Sequence, residues 1–233
     1  MNKIKVEKDN FSLELENTDY IIEIEKECKI KIIENKDITS NISFLIKNSK
    51  VDISLEIREN SNIVINSLGF DSSVNFDIFA DRNSNLKIVD SIITKIDSIN
   101  NITINQKGDY SSVLVYSNGI NLGSNKLYFK MDGIIEKTRF GVYLDENSKI
   151  INCMDGDSKI IPNLIIDTKE VVANHSAYLG TFQDSDLYYL MSRGINLNDA
   201  KNLLIKSYLL SNMTLNLEEF IKEISLYRNG GIE

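Results

Sequence analysis

Proline occurs once, at Pro162, tryptophan not at all, histidine only at His175, and cysteine only at Cys28 and Cys153. Two distant cysteines outside any paired-ligand motif exclude a disulfide framework and an all-cysteine metal site, and they suit a reducing compartment. A lone histidine, with neither a cysteine–histidine pair nor a serine-centred nucleophile elbow, leaves no catalytic constellation, so the chain reads as a non-enzyme. Basic runs are missing as well. With 34 acidic against 26 basic side chains, the net charge of −8 repels a phosphate backbone and argues against nucleic-acid binding. No apolar stretch is long enough to span a bilayer. The opening residues, Met1 to Asp9, are charged and lack an apolar signal core, so a cytoplasmic protein is expected. Gly119-Ile120-Asn121-Leu122-Gly123-Ser124 lacks the Gly-Lys-Ser/Thr of a phosphate-binding loop, so no bound nucleotide is expected.

What is present is β-type sequence. Of the 233 residues, 42% are hydrophobic, enough for a sizeable core without staples. Short β-branched runs of alternating polarity recur, among them Ile21–Ile24, Ile30–Ile33, Val51–Leu55, Ile63–Ile65, Leu86–Val89, Ile102–Ile104, Val113–Tyr116 and Leu127–Phe129. Small polar pairs precede them: Asn48-Ser49, Asn60-Ser61, Ser72-Ser73, Asn83-Ser84, Ser111-Ser112, Gly123-Ser124 and Asn147-Ser148. Consecutive pairs are mostly about a dozen residues apart, with the beat lost between Ser84 and Ser111 and again before Asn147. Asn, Ser, Asp and Gly turn a chain through side-chain hydrogen bonds or left-handed backbone angles. A turn and a short strand at a fixed period predict stacked coils, here a parallel β-helix flattened into two sheets. A β-sandwich would give similar strand spacing. Two-residue Asn-Gly hairpin signals are scarce, however, with Asn118-Gly119 among the strands and Asn229-Gly230 beyond them.

After Gly180 the character changes to helix. Asp184 or Asp186 can cap a first helix through Leu187–Arg193, stopped by Gly194. Asn196 or Asn198 can start a second, with Ala200, Leu203, Leu204, Ser207 and Tyr208 on one face. A third begins near Asn216, with Leu217, Phe220, Ile221 and Ile224 at the same spacing. The expected division is a β-helix core over residues 1–182 and a helical region over residues 183–233.

Three stretches in order carry a resemblance: Ile161-Pro162-Asn163-Leu164-Ile165-Ile166-Asp167-Thr168-Lys169-Glu170-Val171, then Asn174-His175-Ser176-Ala177, then Asp186-Leu187-Tyr188-Tyr189-Leu190-Met191-Ser192-Arg193-Gly194-Ile195. With the Ala- and Leu-bearing helix Asp199–Ile205 they are similar to the C-terminal signature of the SufB/SufD family of iron–sulfur cluster assembly scaffolds. The resemblance implies a right-handed parallel β-helix, all-β, with a C-terminal α-helical appendage that docks on a SufC-type ABC ATPase. It implies a partner that is a second copy or a paralogous SufB/SufD-like subunit, and a transient iron–sulfur cluster as cargo. A partner of that ATPase carrying no cluster is the alternative.

On that reading Leu187, Tyr188, Tyr189, Arg193, Gly194, Ile195, Ala200 and Leu204 form the ATPase-binding element. The plainer reading is that Leu187, Leu190, Leu203 and Leu204 only pack the appendage onto the last coil. His175 is the candidate cluster or metal ligand, since neutral imidazole binds iron; alternatively it is hydrogen-bonded at the end of the β-helix. The family's usual N-terminal helical region is missing, and Ala173 and Ser176 stand where SufD-like and SufB-like members often carry cysteine and glutamate. Cys28 and Cys153 are expected as small buried residues, and Asp155-Gly156-Asp157-Ser158 as a turn rather than a cation loop.

Overall fold

Apolar side chains at alternate positions, many of them isoleucine, face the interior of this chain. The computed structural model describes residues 2–214 and 217–229. Its strands are β1 (Asn2–Lys5), β2 (Asn10–Leu15), β3 (Asp19–Ile24), β4 (Cys28–Glu34) and β5 (Thr39–Lys47). There follow β6 (Lys50–Ile57), β7 (Asn62–Phe70), β8 (Ser73–Ala80), β9 (Asn85–Thr94) and β10 (Ser98–Gln106). The last are β11 (Ser112–Asn121), β12 (Lys126–Ile135), β13 (Val142–Asn152), β14 (Asp157–Ile166) and β15 (Val171–Gly180). Odd-numbered strands form one sheet of eight and even-numbered strands a second of seven, each strand pairing in parallel with the strand two before it. This is the two-sheet parallel β-helix expected from the turn rhythm, and the sandwich alternative falls.

One full coil takes 23 residues where the beat is regular, as the stacked Asp37, Asn60 and Asn83 record. The dozen-residue spacing in the sequence is therefore half a coil, one turn for each sheet. Asp37, Asn60 and Asn83 hold φ of 63°, 62° and 53° at one corner, and Asn48 and Asp71 hold 49° and 45° at the other. Left-handed backbone costs an ordinary L-residue roughly 1–2 kcal/mol, and Asn and Asp offset it by local hydrogen bonding. Here they also bond between coils: Asn60 Nδ2 donates to Asp37 Oδ1 at 3.0 Å, and Asn83 Nδ2 to Asn60 Oδ1 at 3.2 Å. The residue after each corner, Ser49, Ser61, Ser72 or Ser84, is buried. Its small side chain fits under the turn, and Ser84 Oγ donates to Asp81 O at 2.6 Å.

Later coils are longer. Asn101 stands on Asn75 at a separation of 26 residues, Ser176 on Asn147 at 29 and Asn163 on Asp132 at 31. Extra residues at the corners account for the lost beat after Ser84. Two local readings are corrected here. Asn147-Ser148 is not a turn but lies inside β13, and Asn118-Gly119 is not a hairpin but lies inside β11. Gly119 faces inward, where a Cβ would meet Phe129 Cζ at 2.8 Å and Leu127 Cδ2 at 2.9 Å.

Most of the interior is one cluster running from Val6 through Ile42, Ile65 and Ile88 to Leu144, with a smaller one of Ile92, Leu127, Phe129 and Ile150. A further apolar cluster lies outside the β-helix, between the outer face of the odd-strand sheet and the helices. Helices α1 (Asp184–Ser192), α2 (Leu197–Leu209) and α3 (Leu217–Asn229) follow the last strand. Ile205, Leu209, Phe220 and Ile224 pack on Leu45, Leu68, Phe70, Val89 and Ile93. Ser91 Oγ donates to Leu209 O at 2.6 Å and Lys87 Nζ to Asn212 O at 2.7 Å, satisfying carbonyls at the end of α2. The appendage thus runs back across the flank toward the early coils and does not merely cap the last one. Lys3 Nζ, on the first strand, meets Glu219 Oε1 of α3 at 2.8 Å.

Helix starts divide evenly against expectation. Asn196 caps α2 by accepting from Asp199 N at 2.9 Å, whereas α1 starts after Gln183, which makes no side-chain cap bond. Asp184 and Asp186 sit in the first turn of α1, where the helix dipole favours a negative charge. Gly194, at φ +86°, ends α1 as read. The cap assigned to Asn216 lies outside the described residues.

Candidate functional site

The last coil, β14 and β15, has a neighbour on one side only, because β14 pairs with β12 and β15 with β13. Side chains that would be core in any other coil are therefore only partly covered. Of the inward side chains, Ile160, Pro162, Leu164 and Ala173 are half-buried and Ile166 and Leu179 are exposed, while Ile165, Val172 and Tyr178 are exposed on the outer faces.

His175 lies in β15 and is exposed. Its register partner on the preceding coil is Glu146. Parallel register partners project to the same side, so the two belong to one column, which continues through Val115, Ile88, Ile65 and Ile42. Four apolar inward residues are thus followed by a carboxylate and an imidazole. Glu146 is 1% exposed, and neither carboxylate oxygen has a hydrogen-bond partner. Burial, and after it the nearby carboxylates of Asp132 and Asp145, push its carboxyl up to about 7. Gly133 leaves room for it, since a Cβ there would stand 2.7 Å from Glu146 Oε1. Ala173 and Ala177 are small on either side of His175. Next to the pair Ser176 Oγ donates to Asn147 Oδ1 at 2.6 Å, so the outward neighbours are satisfied while the inward carboxylate is not.

Reading the sequence for chemistry missed Glu146. The signal was there: counting by twos from Val142 and Leu144 puts Glu146, Ser148 and Ile150 on the inner face. Among the described residues no group of three or more His, Cys, Asp or Glu side chains is placed to hold a metal ion alone. Cys28 is buried, as expected, and burial raises its thiol pKa. Cys153 corrects the reading of both cysteines as core, for it is exposed in the bend between β13 and β14. The Asp155–Ser158 stretch is a bend entering β14, where Asp157 accepts from the Tyr128 hydroxyl at 2.7 Å.

The helical candidates separate. Helix α1 has no buried residue. Tyr188 is 69% and Tyr189 59% exposed, and the Arg193 guanidinium lies 5.3 Å from the centre of the Tyr189 ring. Arg193 and Gly194 are exposed, while Leu187, Ile195 and Leu204 are half-buried. Ala200 is fully buried, so its place is in the packing of α2 and it offers no surface. Leu203, placed by spacing on the packed face, is exposed at 46%; Ile205 and Leu209 pack instead. Met191 and Leu197 add to the apolar surface around α1.

These features define a solenoid with an uncovered last coil and a flanking helical arm that keeps aromatic side chains in solvent. The family model for the SUF system FeS cluster assembly SufBD core domain matches residues 145–208, from the middle of β13 to α2. The chain is 31% identical over 105 residues to the iron–sulfur cluster assembly protein SufD of Bacillus subtilis, across 44% of this chain and 24% of that one. It is 39% identical over 66 residues to an iron–sulfur cluster assembly SufBD family protein of Mycobacterium leprae, across 28% and 16%. A SufBD family protein of Mycobacterium bovis is 43% identical over 49 residues, 12% of its length. The aligned stretches span less than a quarter of these relatives. The similarity to SufBD proteins thus lies in the last coils and the first two helices.

Proposed function

We propose that the chain is a scaffold subunit of a SUF-type iron–sulfur assembly complex, working in the cytoplasm without catalysing a step itself. The arm α1–α2 recruits a SufC-type ABC ATPase, and the last coil meets a second copy or a longer SufB/SufD-like subunit. The observation that carries this is the coincidence of the family match with a helix, α1, in which no residue is fully buried. Solvent-facing tyrosines beside an arginine are residue types that dominate interface cores. The last coil offers open strand edges with exposed Ile165, Val172 and Leu179, a liability in an isolated molecule and an asset in a paired one. No described helix is long and apolar enough to cross a membrane.

The test is capture of a co-expressed SufC-type ATPase by the tagged full chain. Tyr188→Ala, Tyr189→Ala and Arg193→Ala together are expected to abolish capture while leaving the melting temperature within a few degrees. Retention of the ATPase by that variant would refute the docking assignment. A second reading, a partner of the ATPase that carries no cluster, is favoured by the absence of a three-ligand group among the described residues. Anaerobic reconstitution with iron and sulfide, followed by visible absorbance, separates the two readings.

A further inference from the structure

The inward side chains of the early coils are mostly apolar. Glu146 is a buried carboxylate with a hydrogen-bond partner on neither oxygen. A buried carboxylate with two empty oxygens costs several kcal/mol of desolvation unless a cation or donors meet it, and the space that admits it exists only because Gly133 lacks a Cβ. The next residue in its column is the chain's one imidazole. The two backbones there run about 4.8 Å apart, so both side chains can reach one ion between them. Past His175 no described strand follows in this sheet, and His175 itself is exposed, so the column opens to solvent and an ion has a way in.

We propose that Glu146 and His175 form a two-ligand half-site for a divalent transition metal, ferrous iron in the assembly role. A carboxylate oxygen and a neutral imidazole nitrogen together suit iron, cobalt or zinc, whereas calcium or magnesium would ask for oxygens alone. The bound cation supplies the charge that Glu146 otherwise lacks, and Asp132 and Asp145 add to the negative potential around it. Two protein ligands leave positions open. Water, a small thiol or the same pair from a second copy completes the shell, so the metal stays exchangeable, as iron in transit must be. The proposal rests on the scaffold reading for the identity of the metal but not for the existence of the site.

The experiment is anaerobic titration of the full chain with Co(II) as a spectroscopic probe and with Fe(II) by calorimetry. His175 is the sole histidine, so its ring protons are the only imidazole signals in the NMR spectrum and need no assignment. Wild-type protein is expected to develop ligand-field absorption and paramagnetically shifted imidazole signals. Glu146→Gln and His175→Ala are each expected to weaken binding by roughly ten-fold or more. Glu146→Asp, one methylene short of the ion, is the second variant should the amide fail to fold, and it is expected to weaken binding likewise. Equal affinity in wild type and in either folded Glu146 variant would overturn the pairing while leaving His175 a ligand. No uptake of either metal by wild type would overturn the site outright, and ATPase capture would still judge the scaffold reading independently.

Discussion

The early coils and the last coil use the same amino acids to opposite ends. Between β4 and β9 each coil repeats at 23 residues, and isoleucine, phenylalanine and valine disappear between coils above and below. In β14 and β15 isoleucine, valine and leucine are just as frequent, yet the inward-facing Ile166 and Leu179 are 39% and 49% exposed. Composition alone therefore does not mark the uncovered end. A residue's worth depends on whether a further coil covers it, and the uncovered coil is where the family match and the lone histidine fall.

The sharpest way to break this comparison is to cut matched side chains from both regions. Phe44→Ala, deep in β5 and edge-on to Phe76 at 6.2 Å, is expected to cost about 3–5 kcal/mol by chemical denaturation. A loss under 1 kcal/mol would mean that the early coils are not the stable body of the molecule.

Next in size is a polar residue buried in the middle of the rod. Asp90 is 1% exposed, and burial holds its carboxyl up to about 6 although Asn100 Nδ2 donates to it at 2.7 Å. Its folded-state pKa lies above the ordinary 3.8, so the protonated form is favoured by folding. Its stabilising contribution is complete below the ordinary value and is lost as pH rises through about 6. Asp90→Asn is expected to raise stability at pH above 7 by up to about 3 kcal/mol and to flatten the pH dependence between the two values. Unchanged melting curves across that window would show that Asp90 ionises freely.

A smaller effect is expected at the corners. Asn60→Ala keeps the left-handed turn without its inter-coil hydrogen bonds and should cost about 1–2 kcal/mol, whereas Asn60→Gly should recover most of it. The smallest is Ile165→Ala on the last coil, expected within about 0.5 kcal/mol of wild type in the monomer. A large monomer loss there would mean that the coil is already covered.

How much of this could be read from the residues follows the same divide. The winding was legible because Asn60 and Asn83 serve both as turn formers and as ladder members, so a backbone requirement became a visible repeat. The strands were read too short, since Asn66-Ser67, Asp90-Ser91 and Ser117-Asn118 interrupt the apolar alternation inside β7, β9 and β11. In each pair one residue faces the interior and the other the outer face, where Ser91 meets the end of α2, a contact that no local pattern announces. Helix α2 shows the reverse error: spacing put Leu203 on its packed side, but Ile205 and Leu209 meet the sheet because the arm crosses the flank at its own angle. His175 was visible as a singular residue. Glu146 was not, because a glutamate beside an aspartate looks like solvated surface until the strand's parity is counted.

The contact between Lys3 and Glu219 bears on how load would travel. An arm clipped only to the final coil would, when tugged, peel that coil away first. Lying along the flank, and fastened at β9 and again near β1, it would instead shear against many rungs at once. Such a handle moves the whole rod as a rigid lever, and whatever sits at the uncovered tip is displaced without unravelling.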